Sequence, residues 1–265
     1  MKWTKTNTTA AVGGAILMSV LTLAVAQQLE SATNDGDFRP DADHLRQLPS
    51  NISVVRPTHF AQSYGKIRHL HTADDSLART VGRNVTFCEL MAEAYDSTPG
   101  RVVLPADAPG GGFDFLVTIS PHPRRYLRAA VEQETGYSAS EETRSTEVLT
   151  LQVAEPGLPG LTNSPDSEDD DVTFKDGRLY FQHQTLDVIF KGLEEGLRRP
   201  LVDQTGLTNA YDFSVGWSQE IAQKMRSGEF DLGAVNKAIG KLGLVLKPEM
   251  TNVDMVIVER NGVNK

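Results

Sequence analysis

The sequence predicts an α+β fold with two related half-domains, each a small mixed or antiparallel sheet with two helices, after an N-terminal signal segment. Three observations predict it. Apolar residues recur at helical spacing in four segments, and short aromatic or alternating runs typical of strands lie between them. These elements follow in the same order on either side of a break rich in Pro and Gly. Helices on one face of a sheet bury that face, so each half can form a small core.

Residues 1–26 have the organisation of a secretory signal. Lys2 and Lys5 precede an uncharged apolar stretch, Ala10–Ala26, which ends in the A-x-A pattern of a cleavage site. The alternative is an uncleaved inner-membrane anchor, but the stretch is at the short limit for crossing about 30 Å of hydrocarbon. We therefore expect a periplasmic or extracellular protein that contacts a membrane through residues 1–26 only if they are retained.

The composition restricts the partners and the covalent chemistry. A formal net charge of −9 disfavours nucleic acid, whose phosphates are bound by clustered Lys and Arg. Cys88 is the only cysteine, so the chain forms no internal disulfide. It lies between Phe87 and Leu90 in a helical pattern, which favours a small buried residue over a nucleophile or an intermolecular bridge.

Two segments are expected to lie outside the half-domains, which we place at 49–154 and 172–265. Residues 27–48 are polar and without a sustained period, which predicts a flexible leader. Residues 155–171 combine Pro and Gly with the acidic run Ser167–Asp171, which predicts a solvated linker. A calcium loop is the alternative, but the run lacks alternating ligand spacing and a turn glycine.

The first half contains three predicted strands, two helices and a short apolar run. In chain order they are strand Ile52–Arg56, helix Asn84–Tyr95, apolar run Arg101–Leu104, strand Phe113–Ile119, helix Tyr126–Thr135 and strand Val148–Val153. Thr86 and Glu89 have the spacing of a capping box at the start of the first helix. Gly136 follows the second helix, where a C-terminal cap favours glycine.

The second half repeats this order after a hairpin. In chain order the elements are hairpin Val172–Gln182, helix His183–Leu197, apolar run Pro200–Asp203, strand Tyr211–Trp217, helix Leu232–Leu242, and strands Leu244–Lys247 and Asp254–Glu259. Asp176-Gly177 is a preferred hairpin turn. Thr185 occupies the cap position that matches Thr86, and Gly243 follows the second helix as Gly136 does in the first half.

The aromatic strands of the two halves align and place Asp114 opposite Asp212. Alternation puts Tyr211 and Phe213 on one strand face, which we expect in the core, and Asp212 on the other. We expect both aspartates to point outward or to pair with an arginine such as Arg198 or Arg199.

Two segments of the second half, RRPLVDQTGLTNAYDFSVGW at Arg198–Trp217 and KLGLVLKPE at Lys241–Glu249, stand out as a motif. The first is similar to the signature RPVVDKTGLxGxYDFxLxW, so the sequence resembles a family of secreted soil-bacterial proteins that is defined as a domain of unknown function. SVVRP at Ser53–Pro57 and NVTFCELMAEAY are similar to two earlier family segments, so the resemblance extends over 52–259. The chain departs at Asn209-Ala210, where the family has a glycine. The resemblance implies no activity, but the family's attachment to exported and membrane-bound sensor proteins implies a binding or sensing module.

The segment VDQTGL invites comparison with an aspartic-protease loop. In such a loop Asp, Thr and Gly are contiguous and two aspartates share one proton, whereas here Gln204 separates Asp203 from Thr205. We expect a structural turn in which Asp203 accepts backbone hydrogen bonds from Thr205 or Gly206, with Gly206 in an unusual backbone conformation.

No metal, cofactor or catalytic residue is expected. His69 and His71 have ligand-like spacing, but no Cys, Glu or further His lies close in sequence to complete a site. The chain contains no GxSxG, HExxH, GxGxxG or GKS/T motif.

The function expected is therefore a non-enzymatic binding, sensing or interaction module of the cell envelope, with an envelope protein or a small ligand as its unknown partner. The alternative is an exported hydrolase that uses Asp203 or Asp212 beside a second titratable group. A third possibility, a structural subunit of an envelope assembly, predicts an exposed apolar patch or an unpaired edge strand.

Overall fold

The computed structural model describes residues 34–60, 66–72, 77–154, 157–164, 171–216 and 231–262, and its fold is α+β. The five described α-helices are α1 (Ala42–Gln47), α2 (Phe87–Ala94), α3 (Pro123–Thr135), α4 (Asp187–Leu197) and α5 (Leu232–Ile239). Short 3-10 helices lie at Asp35–Phe38, Pro99–Arg101 and Gly240–Leu242. None of these described helices is long and apolar enough to cross a membrane. The predicted signal, residues 1–26, lies outside the described residues.

The described strands form three four-stranded sheets, in the orders β1-β5-β3-β2, β10-β6-β12-β4 and β7-β11-β9-β8. In chain order they are β1 (Ser53–Pro57), β2 (Lys66–His71), β3 (Leu77–Thr86), β4 (Val102–Val103), β5 (Gly112–Val117), β6 (Tyr137–Val153), β7 (Thr162–Asn163), β8 (Asp171–Lys175), β9 (Arg178–Gln184), β10 (Leu201–Asp203), β11 (Tyr211–Gly216) and β12 (Leu244–Arg260).

The chain divides into two compact units, and their boundaries differ from the predicted 49–154 and 172–265. Of the described residues, the first unit comprises those within Met1–Leu90, Asp107–Ser138 and Asn261–Lys265, and the second comprises those within Met91–Ala106 and Ala139–Arg260. The difference arises because β6, expected to close the first half, pairs in parallel with β10, with Leu149 opposite Leu201. β6 also lies next to β12 in the same sheet.

The first unit is built on the antiparallel sheet β1-β5-β3-β2. Helix α3 packs against β1, β5 and β3 and buries Leu127 and Val131. A cluster with Val81 and Leu116 of the sheet also contains Phe38 and Leu45.

The predicted flexible leader, 27–48, is wrong for its described part. Asp35–Phe38 and α1 are helical, and the side chains of Phe38 and Leu45 are fully buried. The Asp41 carboxylate caps α1 by accepting the backbone N–H groups of Asp43 and His44 at 2.9 and 3.0 Å. Large apolar residues are few and irregularly spaced in this polar stretch, so the sequence of the segment does not resemble a core element.

One core cluster of the second unit is shared by its two sheets, α4 and α5, and a smaller one, Val148, Val253, Met255 and Ile257, lies on β6 and β12. The buried residues of the shared cluster are Leu149, Leu151, Phe181, Leu186, Ile189, Leu193, Leu197, Leu201, Tyr211, Phe213, Val215, Val235, Ala238, Ile239, Leu242, Leu244 and Leu246. The rings of Phe181 in β9 and Phe213 in β11 stack with centroids 4.6 Å apart.

Part of the predicted linker 155–171 belongs to this unit instead of being solvated. Leu158 and Leu161 pack against the core, and β7 pairs with β11 so that Thr162 lies opposite Asp212. A Cβ on Gly160 would lie 2.5 Å from the Lys241 carbonyl oxygen, so glycine permits this close approach. The acidic run lies outside the described residues except for Asp171.

Several local predictions are confirmed. Thr86 and Glu89 exchange capping-box hydrogen bonds at 2.8 and 3.2 Å. Asp176 and Gly177 turn the β8–β9 hairpin with φ of 51° and 74°. The C-terminal glycines Gly136 and Gly243 have φ of 74° and 81°.

Other details differ from expectation. Helix α4 begins after Leu186 with no side-chain cap, so Thr185 does not repeat the role of Thr86. The two predicted closing strands of the second half are one continuous strand, β12. The prediction omitted β2 and β3, and Cys88 is half-buried, not buried.

Candidate functional site

Asp114 is a fully buried carboxylate in the centre of the first sheet. Its Oδ1 accepts hydrogen bonds from Thr58 Oγ1 at 2.8 Å and from the backbone N–H of Asn84 at 2.9 Å. Its Oδ2 lies 3.4 Å from Arg56 Nη2. Of the two expected arrangements, an outward carboxylate or one paired with an arginine, Asp114 has the second, but its arginine is Arg56 and not the suggested Arg198 or Arg199.

Asp212 makes a similar contact in the second unit. Its Oδ1 accepts the backbone N–H of His183 at 2.9 Å. Asn84 and His183 both have left-handed backbones, with φ of 50° and 49°. Near each aspartate the strand register shifts, and a backbone N–H displaced from the ladder needs another acceptor. Each aspartate supplies that acceptor, which gives both a structural role.

The VDQTGL segment contains the expected turn. Asp203 Oδ1 accepts the backbone N–H of Thr205 at 2.8 Å, and Gly206 has a φ of 68°. Thr205 Oγ1 in turn accepts the backbone N–H of Leu207 at 3.2 Å. Asp203 is exposed, so the segment is a surface turn that joins β10 to the residues before β11.

Of the other predicted site residues, Tyr211 and Phe213 lie in the core, as expected from strand alternation. Asp212 is on the opposite face of β11, where a cavity of about 670 Å³ lies over the sheet β7-β11-β9-β8. We call this cavity the sheet groove. Its lining residues are Gly160, Thr162, Thr173, Lys175, Asp176, Tyr180, Phe181, Gln182, Asp212, Phe213 and Ser214.

Polar residues outnumber apolar ones in the lining of the sheet groove, because strand alternation directs the polar residues of β9 and β11 to this face. Thr173, Tyr180 and Ser214 lie opposite one another on three adjacent strands. Ser214 Oγ accepts a hydrogen bond from Arg178 Nη2 at 2.9 Å. Tyr180 is 39% exposed, so its ring is accessible among hydrogen-bonding side chains.

Sequence reasoning did not identify the sheet groove, although one signal for it was present. The predicted β8–β9 hairpin alternates, which gives it a second, polar face with Thr173, Lys175, Tyr180 and Gln182. The alternation alone does not show that β11 and β7 lie beside this face and complete the groove.

A second missed feature is a buried ionic network beside α4. Glu194 is 3% exposed, and its Oε1 accepts from Arg101 Nε at 2.7 Å and from the Leu201 N–H at 2.9 Å. Arg101 Nη2 also donates to the Leu201 carbonyl at 2.7 Å. The available signal was position: Glu194 follows Phe190 by one helical turn, on the apolar face.

The histidine pair does not form part of a metal cluster in the described part of the chain. The rings of His69 and His71 meet edge to face, with centroids 6.1 Å apart. Among the described residues, no group of three or more His, Cys, Asp and Glu side chains could hold a metal ion.

Among the described residues, three carboxyl groups have a lowered pKa, and none of them lines the sheet groove. The hydrogen bond from Arg56 lowers the pKa of Asp35, and the backbone N–H groups of His44 and Asp43 lower the pKa of Asp41. The hydrogen bond from Arg144 lowers the pKa of Glu142. All three side chains are at the surface, so these shifts mark ion pairs and a helix cap.

The segment with the sheet groove and both aspartates matches a known family. A family model described as "Protein of unknown function (DUF3738)" matches residues 88–260. The chain belongs to this family. The DUF3738 match contains α2 to α5 except for the first residue of α2, together with β4 to β12. It begins after β1–β3, so the part of the resemblance at 52–87 lies outside the match.

No curated protein and no solved structure shows significant similarity to this DUF3738 chain. Its activity therefore has to be argued from its own geometry.

Proposed function

We propose that this DUF3738 chain is a non-enzymatic binding module that acts outside the cytoplasm and takes a small, hydroxyl-rich ligand in the sheet groove. The observation that carries the proposal is the half-exposed ring of Tyr180 among the polar side chains of three adjacent strands. A saccharide suits this surface, because one face of a sugar ring packs on an aromatic side chain while its hydroxyls exchange hydrogen bonds.

The lining offers both donors and acceptors to such a ligand. Gln182 and Thr173 can do both, the Lys175 ammonium only donates and the Asp212 carboxylate only accepts. A volume of about 670 Å³ lies within the range of small-molecule sites.

The contacts of the two candidate aspartates support a binding role over a hydrolase. Asp203 is exposed, does not line the sheet groove, and accepts a hydrogen bond from the Thr205 N–H. Asp212 does line it, but its Oδ1 accepts the His183 N–H as part of the strand register. Within the part of the chain that the structure describes, no specific contact favours the alternative of an exported hydrolase.

The proposal includes export with removal of residues 1–26 and an internal duplication. The charged start and the apolar stretch support export. The contacts Asp114 to Asn84 and Asp212 to His183 support two related halves, since both place a strand carboxylate on a left-handed backbone N–H. Mass spectrometry of the chain purified from its producing cell tests export, and retention of residues 1–26 would contradict it.

Ligand binding is tested by calorimetric titration with a panel of cellobiose, maltose, chitobiose and trehalose. We expect saturable binding of at least one disaccharide, and a loss of about five- to tenfold in affinity for Tyr180→Ala, because the ring contact contributes about 1 kcal/mol. Tyr126→Ala is the matched control, since Tyr126 is 38% exposed on α3 and does not line the groove.

Two results would contradict the proposal. One is the absence of saturable binding by any disaccharide of the panel. The other is equal binding by the wild type and Tyr180→Ala.

A further inference from the structure

The edge strand β8 of the second unit carries exposed apolar side chains. All its residues are exposed, and Val172 and Phe174 are 46% and 69% exposed. Among the described strands, β8 pairs only with β9 and ends its sheet. An edge strand with exposed apolar residues is a template for pairing with another chain.

The hairpin determines which backbone groups of β8 face the open edge. A two-residue turn at 176–177 makes Lys175 and Arg178 the hydrogen-bonded pair that closes it. Hydrogen-bonded and non-hydrogen-bonded pairs alternate along an antiparallel ladder. Val172 and Phe174 therefore direct their N–H and C=O groups away from β9, toward the edge.

The sequence of β8, DVTFK, is complementary to itself when a second copy runs antiparallel about Thr173. Val172 then faces Phe174 of the second copy, and both present their backbone groups to each other. Asp171 faces Lys175 of the second copy, and Thr173 faces Thr173. All three kinds of cross-strand pair are favourable: an aromatic residue opposite a β-branched one, two opposite charges, and two threonines.

Neighbouring registers do not have this match. If the two-fold axis moves by one residue, the edge-facing N–H and C=O groups of the two strands still meet. An axis at Phe174 places Thr173 opposite Lys175, and an axis at Val172 places Thr173 opposite Asp171. Each of those registers loses the Asp–Lys pairs. The charges of β8 therefore select the axis at Thr173.

We propose that β8 pairs antiparallel with β8 of a second copy of this chain, about a two-fold axis at Thr173, and joins two four-stranded sheets into one. The occupant is a second copy because the charge pattern of β8 complements its own reverse. Lysine on an edge strand usually discourages such pairing, but here Asp171 of the second copy neutralises Lys175. The contact is isologous, as in most homodimers.

The pairing also places two sheet grooves on one face. Thr173 and Lys175 line the sheet groove, and directly opposed residues of antiparallel strands point to the same side of the sheet. The grooves of the two copies then lie side by side across the axis. The dimer does not depend on which ligand the groove takes.

Sedimentation velocity of the full chain over a concentration series tests the dimer. We expect a monomer–dimer equilibrium in the wild type and association about tenfold weaker in Lys175→Asp, because like charges then face each other on both sides of the axis. Asp171→Lys should weaken it similarly. The double variant Asp171→Lys/Lys175→Asp should restore it, because the opposite charges are exchanged. Lys247→Asp, an exposed lysine of β12, is the control for the charge change and should leave association unchanged.

A wild type that stays monomeric throughout the series would overturn the proposal. So would a double variant that associates no better than the single variants, or a control that weakens association as strongly as Lys175→Asp. Tyr180→Ala should bind saccharide more weakly yet associate normally, which separates failure of the dimer from failure of the groove.

Discussion

Replacement of Asp114 by alanine tests whether a buried carboxylate holds the register of the first sheet. The change removes the acceptor of the Asn84 N–H and of Thr58 Oγ1 and takes away the carboxylate beside Arg56. A buried donor left without an acceptor costs about 1–3 kcal/mol, and breaking a buried charge pair costs about 3–5 kcal/mol in total. We expect Asp114→Ala to lower the free energy of unfolding by about 3–5 kcal/mol.

Asp114→Asn and Asp212→Ala are the matched comparisons. The asparagine keeps an oxygen for Asn84 and Thr58 but loses the charge, so we expect a loss of about 1–2 kcal/mol. Asp212 is half-buried and holds one backbone N–H, so Asp212→Ala should cost about 1–2 kcal/mol.

The assay combines urea unfolding with hydrogen exchange read at individual amides. Because the chain has two compact units, exchange assigns each loss to its unit. The amide of Asn84 should exchange faster in Asp114→Ala, and that of His183 in Asp212→Ala. The reasoning would be refuted if Asp114→Ala cost less than about 1 kcal/mol, or if Asn84 kept its protection.

Three further predictions concern a close contact, an exposed helix glycine and a helix cap. Gly82 lies opposite Phe115, and a Cβ there would overlap the buried Phe115 ring, so Gly82→Ala should cost about 1–3 kcal/mol in urea unfolding. Gly192→Ala, exposed in the middle of α4 with nothing near its Cβ, should instead stabilise by about 0.5–1 kcal/mol; a loss there would contradict the helix. The folded pKa of Asp41 is lowered from its ordinary 3.8 by the backbone N–H groups of His44 and Asp43, so the unfolded chain takes up its proton at higher pH. The stability that Asp41 contributes is thus present above pH 3.8 and lost as the pH falls through the lower folded pKa. The difference in unfolding free energy between wild type and Asp41→Asn should shrink at strongly acid pH, and a constant difference would contradict this.

The fold could be predicted where the signal is local. The Thr86–Glu89 capping box, the turn at 176–177 and the positive φ of Gly136 each depend on residues within one or two turns of chain. Such patterns can be predicted because a cap or a turn forms hydrogen bonds with backbone groups that are close in sequence.

Pairing between distant segments could not be predicted in the same way. β6 joins β10 and β12 although it follows the elements of the first half. Its alternation shows that it is a strand but not which neighbour it takes. Phe38 and Leu45 were missed for a related reason, because their burial depends on a sheet formed by later residues.

The candidate site shows the same distinction between local and distant contacts. The Asx turn at Asp203 could be predicted because donor and acceptor are two residues apart. The partner of Asp114 could not: Arg56 lies on β1, brought beside it by antiparallel pairing with β5.

The burial of charged residues is the feature of this protein that sequence patterns predict least well. Apolar periodicity identifies the buried face of a helix from its hydrophobic residues, so it assigns no role to a glutamate on that face. Yet Glu194 is buried because it satisfies Arg101 and the first N–H of β10 together, and it thereby ties α4 to the strand that follows it. Asp114 likewise stabilises a bulged strand that hydrophobic residues alone would not support. In both units the carboxylates specify the strand register, while the apolar residues supply most of the free energy of folding. A charged residue at an apolar position of this sequence is therefore better interpreted as a clue to a long-range contact than as an exception to the pattern.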